Sequence, residues 1–300
     1  MSGRGTVLGV AHSAPDFEVP AGACDCHVHV FAPPGRFPFA PDRLYTPGPA
    51  TVEDLLALQG VLGLQRVVVV QATPYGADNS CLLDALGRLG PRGRGIAVID
   101  GATADAALGR MHEMGVRGLR VNLETRGQRD PATARTALLE AATRAGDQGW
   151  HVQIYAGLSV LASLHDTILR LPVTLAVDHF GRPRAADGTG QPGFVALLSL
   201  LRRGNVYVKL SATYRISDAP DYGDAAAIAR ALIDANPDRV LWGTDWPHTG
   251  RRTDASDPKQ NDPFRPEDDG RALKRLRSWA PDPVRLHKIL VENPARLYGF

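Results

Sequence analysis

The chain has 300 residues, 44% of them hydrophobic, and its formal charge of +2 is the difference between 34 Lys plus Arg and 32 Asp plus Glu. That length is ample for one large core, and so even a charge balance offers no broad field for nucleic acid or an anionic membrane. Cys24, Cys26 and Cys81 lack paired redox or metal spacing, and no run is long and apolar enough to cross a bilayer. A cytoplasmic protein without nucleic-acid or membrane partners is therefore expected.

Residues 1–22 mix Gly, Pro, charge and short apolar pieces with no signal-peptide pattern, and read as an N-terminal extension. From residue 23 onward, short β-branched runs alternate with longer Ala/Leu-rich periodic runs, the pattern of repeated βα units. The predicted strands are 23–30, 66–72, 95–100, 116–122, 151–156, 173–179, 206–211 and 240–245. The predicted helices are 52–61, 79–89, 104–114, 131–145, 159–171, 194–202, 224–235 and 271–279. Thr51 stands as an N-cap before the acidic first turn Glu53-Asp54, and Gly115 and Gly149 are helix stops. Eight such pairs predict an α/β protein with a (β/α)8 barrel over 23–300, whose active site lies at the C-terminal strand ends. The Pro-rich 33–49 and the polar 249–269 are expected to be loops at that mouth.

Within this frame Asp25-Cys26-His27-Val28-His29 is the most informative segment. Residues two apart on a strand point the same way, so His27 and His29 share one face while Cys24 and Cys26 turn toward the helices. By the same parity His151, Gln153 and Tyr155 align on the fifth strand, and only Tyr155 is far enough along to reach the mouth. His179 after the sixth strand and Asp245 after the eighth are expected to converge with the first-strand pair. An acid beside imidazoles can take a proton from water, while imidazoles or a metal polarise the carbonyl that the water attacks. Any one of these residues alone has an ordinary explanation in loop hydrogen bonding; together, at three strand ends, they point to hydrolysis.

The chain resembles the amidohydrolase superfamily, in the branch that contains 2-pyrone-4,6-dicarboxylate lactonase and sugar-acid lactone hydrolases and isomerases. The likeness runs nearly end to end. It rests on Cys24 to His29, Gly76-Ala77-Asp78-Asn79, Val177-Asp178-His179-Phe180-Gly181-Arg182-Pro183, Lys209-Leu210-Ser211, Gly243 to His248 and the closing Glu292 to Phe300. It implies a distorted barrel with Asp245 as general base and His27, His29 and His179 around the scissile carbonyl. It further implies substrate contacts from Tyr45, Thr73, Arg120, Arg126, Tyr155, Arg215 and His248. Guanidinium suits a flat dicarboxylate because its planar fork binds carboxylate at two points.

Two departures bear on this reading. Where many metal-using relatives place a histidine at the end of the fifth strand this chain has Tyr155, a poor zinc ligand. No metal is therefore expected to be required, although His27, His29 and Asp245, with His179, form the set that would hold an optional zinc. After the second strand comes Thr73-Pro74-Tyr75, and Tyr75 is a candidate for reshaping the pocket. The reaction implied is hydrolysis of 2-pyrone-4,6-dicarboxylate to 4-oxalomesaconate, an aromatic-compound degradation step. The alternatives are hydrolysis or isomerisation of an aldaric or aldonic lactone such as galactarolactone, a metal-dependent decarboxylation, and a barrel that binds without turnover.

Overall fold

The computed structural model describes residues 4–33, 35–250 and 257–300. Parts of three sequence expectations lie outside the described residues: 1–3 of the extension, Pro34 in the first loop and 251–256 in the 249–269 loop. In chain order, an antiparallel hairpin of Arg4–Val7 and Val10–Ser13 precedes β1 (Cys24–Val28), α1 (Val52–Leu62), β2 (Arg66–Val70), α2 (Ser80–Leu89), β3 (Gly93–Ala97) and α3 (Asp105–Glu113). Next come β4 (Val116–Asn122), α4 (Pro131–Gly146), β5 (His151–Tyr155), α5 (Leu158–Ser163), α6 (His165–Leu169) and β6 (Leu175–Val177). The chain ends with α7 (Pro192–Arg203), β7 (Val206–Leu210), α8 (Ala225–Ala235), β8 (Val240–Trp242), α9 (Asp269–Trp279), α10 (Pro283–His287) and α11 (Asn293–Tyr298).

All eight expected strands are present, with two instructive shifts. β3 begins at Gly93 rather than residue 95, because this strand needs glycine: a Cβ on Gly93 or Gly95 would lie 2.8 Å from Leu89 or 2.7 Å from Leu86. Glycine is a poor strand former, so propensity places the start too late. The helix expected over 159–171 is broken into α5 and α6 at Leu164, where the Ser163 hydroxyl donates back to the Val160 carbonyl at 2.7 Å and competes with the helical ladder. No described helix is long and apolar enough to cross a membrane.

The chain forms two compact units. One comprises Met1–Val116 and Thr244–Arg275. In it β1, β2 and β3 pair in parallel, with Cys24 opposite Arg66 and Val67 opposite Gly93. Val67, Val68, Val69 and Val70 are all at most 1% exposed, as a strand covered on both faces requires. α1 opens on a full capping box: Asp54 N–H donates to the Thr51 hydroxyl, and the Asp54 carboxylate accepts from Thr51 N–H. The two loops expected at the mouth are tied to each other, since Thr46–Pro47 pairs with Asn261–Asp262 and the Thr46 hydroxyl donates to the Pro258 carbonyl at 2.6 Å.

Part of the expected extension is ordered in the same unit. Leu8 and Gly9 both take positive φ (50° and 78°), the tight turn that matches hairpin twist. Its far end is held at the start of α9, where the Asp268 carboxylate accepts from both the Ser13 N–H and hydroxyl at 2.9 Å and from the Gly270 N–H at 3.0 Å.

The other unit comprises Arg117–Gly243 and Leu276–Phe300. Strands β4 to β8 pair in parallel and in sequence order, Gly118 with His151, Val152 with Leu175, Leu175 with Val206, and Val208 with Val240. Phe194, Leu197, Leu200 and Leu201 of α7 and Ile228, Leu232 and Ile233 of α8 are at most 1% exposed and supply its helix-side core. The C-terminal helices, which lie beyond the expected elements, are fastened by the Asn293 amide donating at 2.8 Å to the carbonyls of Pro237 and Val240. Three strands and five make the eight successive β/α steps of a (β/α)8 barrel.

A side chain at position 270 would overlap the Ser13 carbonyl oxygen. Gly270→Ala should therefore cost about 1–3 kcal/mol by overpacking a backbone contact that cannot yield. A urea midpoint unchanged from the parent would show that the hairpin does not sit on α9 as described.

Candidate active site

Main-chain pairing brings the acid to the first-strand imidazoles. Thr244 to Trp246 runs beside β1: Asp245 N–H donates to the His27 carbonyl at 2.9 Å, His29 N–H donates to the Trp246 carbonyl at 2.8 Å, and Val28 bridges Trp246 in parallel. His27 Nε2 and His29 Nε2 each lie 3.5 Å from Asp245 Oδ1. The two rings meet edge to face with centroids 5.1 Å apart. All three side chains are buried, at 0%, 6% and 1% exposure.

The tautomer of His29 follows from its partner. Its Nδ1 lies 2.9 Å from the Val70 carbonyl, an acceptor only, so Nδ1 carries the proton. In a neutral ring the lone pair on Nε2 then faces Asp245. That arrangement is comfortable when a water proton or a cation stands between the two. A histidine that donates one nitrogen to a backbone carbonyl and offers the other beside a carboxylate fits a divalent metal such as zinc. His27, His29 and Asp245 are the residues of this unit that would hold one.

Asp25, which shares the parity of the two histidines, accepts three hydrogen bonds: His27 N–H at 3.1 Å, Thr244 N–H at 3.0 Å and the Thr244 hydroxyl at 2.7 Å. Burial pushes its carboxyl up to about 7, opposed by those donors. Its part is to clamp β1 to the segment that carries Asp245. His248, expected as a substrate contact, is 3% exposed and bound at Nε2 to Asp269, 3.0 Å from Oδ1. Tyr45 and Thr73 are half-buried. Tyr75 packs on Phe39 and Phe31 at 4.8 and 6.3 Å between centroids, and its oxygen accepts from Ala32 N–H at 3.1 Å. It serves as an anchor of the first loop. A cavity of about 230 Å³ under that loop is lined by Phe37, Phe39, Pro47 and Asn261 among others and contains none of the acid or imidazole groups.

The other unit presents a cationic cluster built on Tyr155. The guanidinium carbons of Arg120, Arg182 and Arg215 each lie 5.9 Å from the centre of its ring. His179 meets the same ring edge to face at 4.9 Å, and its Nδ1 is 2.8 Å from the Ser211 hydroxyl. Carboxylates stand behind the arginines at longer range, Asp178 at 3.9 Å from Arg120 and Glu124 at 3.5 Å from Arg182. Asp178 also accepts from Gln153 at 3.0 Å, and the buried Lys209 donates to Gln153 at 2.6 Å and lies 3.6 Å from Asp178. His179 and Asp245 lie two and three residues past their strands rather than on them, both with positive φ (49° and 70°). Arg126 is exposed in the turn after β4.

Arg182 was not among the expected substrate contacts. The signal for it was the turn Gly181-Arg182-Pro183 directly after His179, where a non-glycine residue takes a left-handed conformation (φ 60°). Asp269 was also missed, because in sequence it is only the last residue of the 249–269 loop and its partners lie at positions 12 and 248.

An amidohydrolase family model matches residues 24–300, from the first residue of β1 to the end of the chain. The chain belongs to the amidohydrolase family. It is 40% identical to the 2-pyrone-4,6-dicarboxylate hydrolase of Comamonas testosteroni, over 95% of this chain and 93% of that protein. It is 38% identical to the 4-sulfomuconolactone hydrolase of Rhizobium radiobacter, over 96% and 94%. The crystal structure of an Agrobacterium tumefaciens protein superposes with a TM-score of 0.81 at 27% identity, covering 95% of this chain and 98% of that one.

His151 shows what separates a histidine of the reactive set from a core histidine. It sits at the start of β5 against Tyr298, 4% exposed, and burial, reinforced by the Lys209 charge, lowers its pKa to about 3. The unfolded chain binds a proton there near pH 6.5 that the folded chain refuses, so this residue withdraws stability as pH falls from about 6.5 toward 3. His151→Gln should remove about 2 kcal/mol of the stability lost between pH 7 and pH 4.5. Parallel losses for the parent and the variant in urea titrations at the two pH values would contradict a neutral buried imidazole.

Proposed function

We propose that this protein hydrolyses 2-pyrone-4,6-dicarboxylate to 4-oxalomesaconate or its tautomer, in the cytoplasm. The observation that carries this reading is the trio of guanidinium groups around Tyr155, Arg120, Arg182 and Arg215. A flat ring with two carboxylates needs several planar donors around it, whereas a polyhydroxylated neutral lactone does not. The similarity to a hydrolase of that dicarboxylate supports the same conclusion.

In the reaction proposed, Arg120, Arg182 and Arg215 hold the carboxylates, with Arg126, Tyr45, Thr73, Tyr155 and His248 as further contacts. Asp245 takes one proton from a water whose oxygen bonds to the lactone carbonyl carbon. His27 and His179 stabilise the negative charge that develops on the carbonyl oxygen, and His29, whose Nε2 is an acceptor in the neutral ring, orients the attacking water beside Asp245. Collapse of the tetrahedral adduct re-forms the carbonyl and breaks the bond to the ring oxygen, which leaves as an enolate. The proton held by Asp245 returns to the product. A conjugated lactone with an enolate leaving group needs less polarisation than an amide, so no metal is required on this reading. Zinc bound by His27, His29 and Asp245 would supply Lewis acidity and a more acidic water.

Chelator-treated protein of measured metal content should bleach the ultraviolet absorbance of 2-pyrone-4,6-dicarboxylate. Asp245→Asn should lower turnover by about 10³-fold or more, as loss of a general base does, while dicarboxylate binding stays near that of the parent. Near-normal turnover by that variant would remove Asp245 from the base role. Activity that returns only with stoichiometric zinc would overturn the metal-free route, and no bleaching with or without metal would sink the pyrone assignment.

A further inference from the structure

The N-terminal hairpin ends in a buried polar chain that runs to His248 through residues to which the proposed reaction gives no part. His248 Nε2 is 3.0 Å from Asp269 Oδ1 and 3.2 Å from Oδ2, and Asp269 itself is 0% exposed. On its other side Asp269 meets His12, which is 2% exposed. The direction of that second contact is fixed by the backbone: Asp269 N–H donates to His12 Nδ1 at 3.2 Å, so this nitrogen is an acceptor. The 3.4 Å approach of the same nitrogen to Asp269 Oδ2 is therefore a close packing contact rather than an ion pair. Burial holds His12 below the usual imidazole range, consistent with a neutral ring. His12 thus orients Asp269 without neutralising it.

The carboxylate charge of Asp269 is left to His248. Four titratable groups act on that ring: Asp269, Asp245 and Glu267 favour its charged form, and neutral His12 lies behind Asp269. Burial alone would lower the His248 pKa, yet the net displacement is upward because Asp269 wins. The His248 backbone is equally constrained, with φ at 66°, its N–H donating to the Asp245 carbonyl at 2.9 Å and its own carbonyl accepting from Arg265 N–H at 2.8 Å. Ser13, next to His12, holds the neighbouring Asp268 through two hydrogen bonds at 2.9 Å. His12 and Ser13 precede residue 24, where the family match begins.

We propose that Asp269 is a positioning residue for His248, and that the Arg4–Ser13 hairpin, through His12 and Ser13, holds Asp269 in place. His248 then presents a fixed ring edge to a substrate carboxylate. This role rests on the reading of His248 as a substrate contact in the proposed reaction.

The test compares His12→Ala, His12→Asn and Asp269→Asn with the parent. Asparagine at position 12 retains an acceptor near the place of Nδ1, and Asp269→Asn keeps the shape while removing the charge. A charge-assisted hydrogen bond that acts on binding alone is worth about tenfold. His12→Ala and Asp269→Asn should therefore raise KM for the pyrone dicarboxylate about tenfold with kcat within about twofold, and His12→Asn should restore KM. Proton–nitrogen spectra of histidine-labelled protein give a second readout that needs no substrate. The protected ring N–H of His248, assigned by its loss in His248→Gln, should persist in His12→Asn and disappear in His12→Ala. A merely structural hairpin would lower kcat and thermal stability together, with KM unmoved and no rescue by His12→Asn, and that result overturns the proposal. Should the parent not turn over the pyrone, the substrate assignment fails by itself. The ring N–H then decides, and its persistence in His12→Ala overturns the positioning role.

Discussion

The reactive acid depends on a backbone seam. Asp245 stands between His27 and His29 because the segment after β8 pairs with β1 through main-chain hydrogen bonds at His27, His29, Asp245 and Trp246. Asp25 rivets the same seam with three donors, two of them from Thr244. Positions set by a sheet ladder move far less than positions set by long side chains, and a general base works only within hydrogen-bond reach of its proton. Asp25 must be buried to hold the seam, and its raised pKa is the electrostatic consequence. Every chemical role assigned to this cluster presupposes that register.

The second requirement is an electropositive seat that survives burial. Arg120 is 8% exposed and Lys209 is 0% exposed, and buried cations persist only when compensated. Asp178 serves Gln153, Lys209 and, at 3.9 Å, Arg120. Lys209 stands closer to that carboxylate, at 3.6 Å, and is joined to it through Gln153. Glu124 stands in a similar relation to Arg182, with Arg129 bound more closely at 2.8 Å. Tyr155 fits this arrangement better than a histidine would, since its ring offers an apolar face to three cations at once.

Much of this was legible from residue order. Strand periodicity located the eight β/α steps, and parity alone paired His27 with His29 and set Tyr155 apart from His151, because a strand repeats every two residues whatever its surroundings. Thr51 declared its helix start through side-chain chemistry that is purely local. Illegible were the features decided by tertiary approach. β3 opens on glycines chosen for the room beside Leu86 and Leu89, which no propensity scale records. The hairpin carries one turn glycine and a leucine at a positive φ, too weak a signal to stand out. Asp269 gains its partners from residues 12 and 248, so its role is invisible at the level of a segment.

Several of the positions that carry chemistry have a strained backbone. His179, Phe180, Arg182, Ala212, Asp245 and His248 all have positive φ without being glycine. Such residues cost about 1–2 kcal/mol each and persist only where surrounding contacts over-determine them. Here those contacts are visible: Arg182 N–H donates to the His179 carbonyl, His248 N–H to Asp245, and Asp245 N–H to His27. At His179, Arg182, Asp245 and His248 glycine would relax the turn but would remove the imidazole, guanidinium or carboxylate that it displays. The loops after β6 and β8 are therefore shaped for display and depend on the parallel strands beneath them for the stability they give up. On this argument the rigid strands and the strained turns are one device, in which burial of the valine-rich sheet sustains the unfavourable backbone that aims the reactive groups.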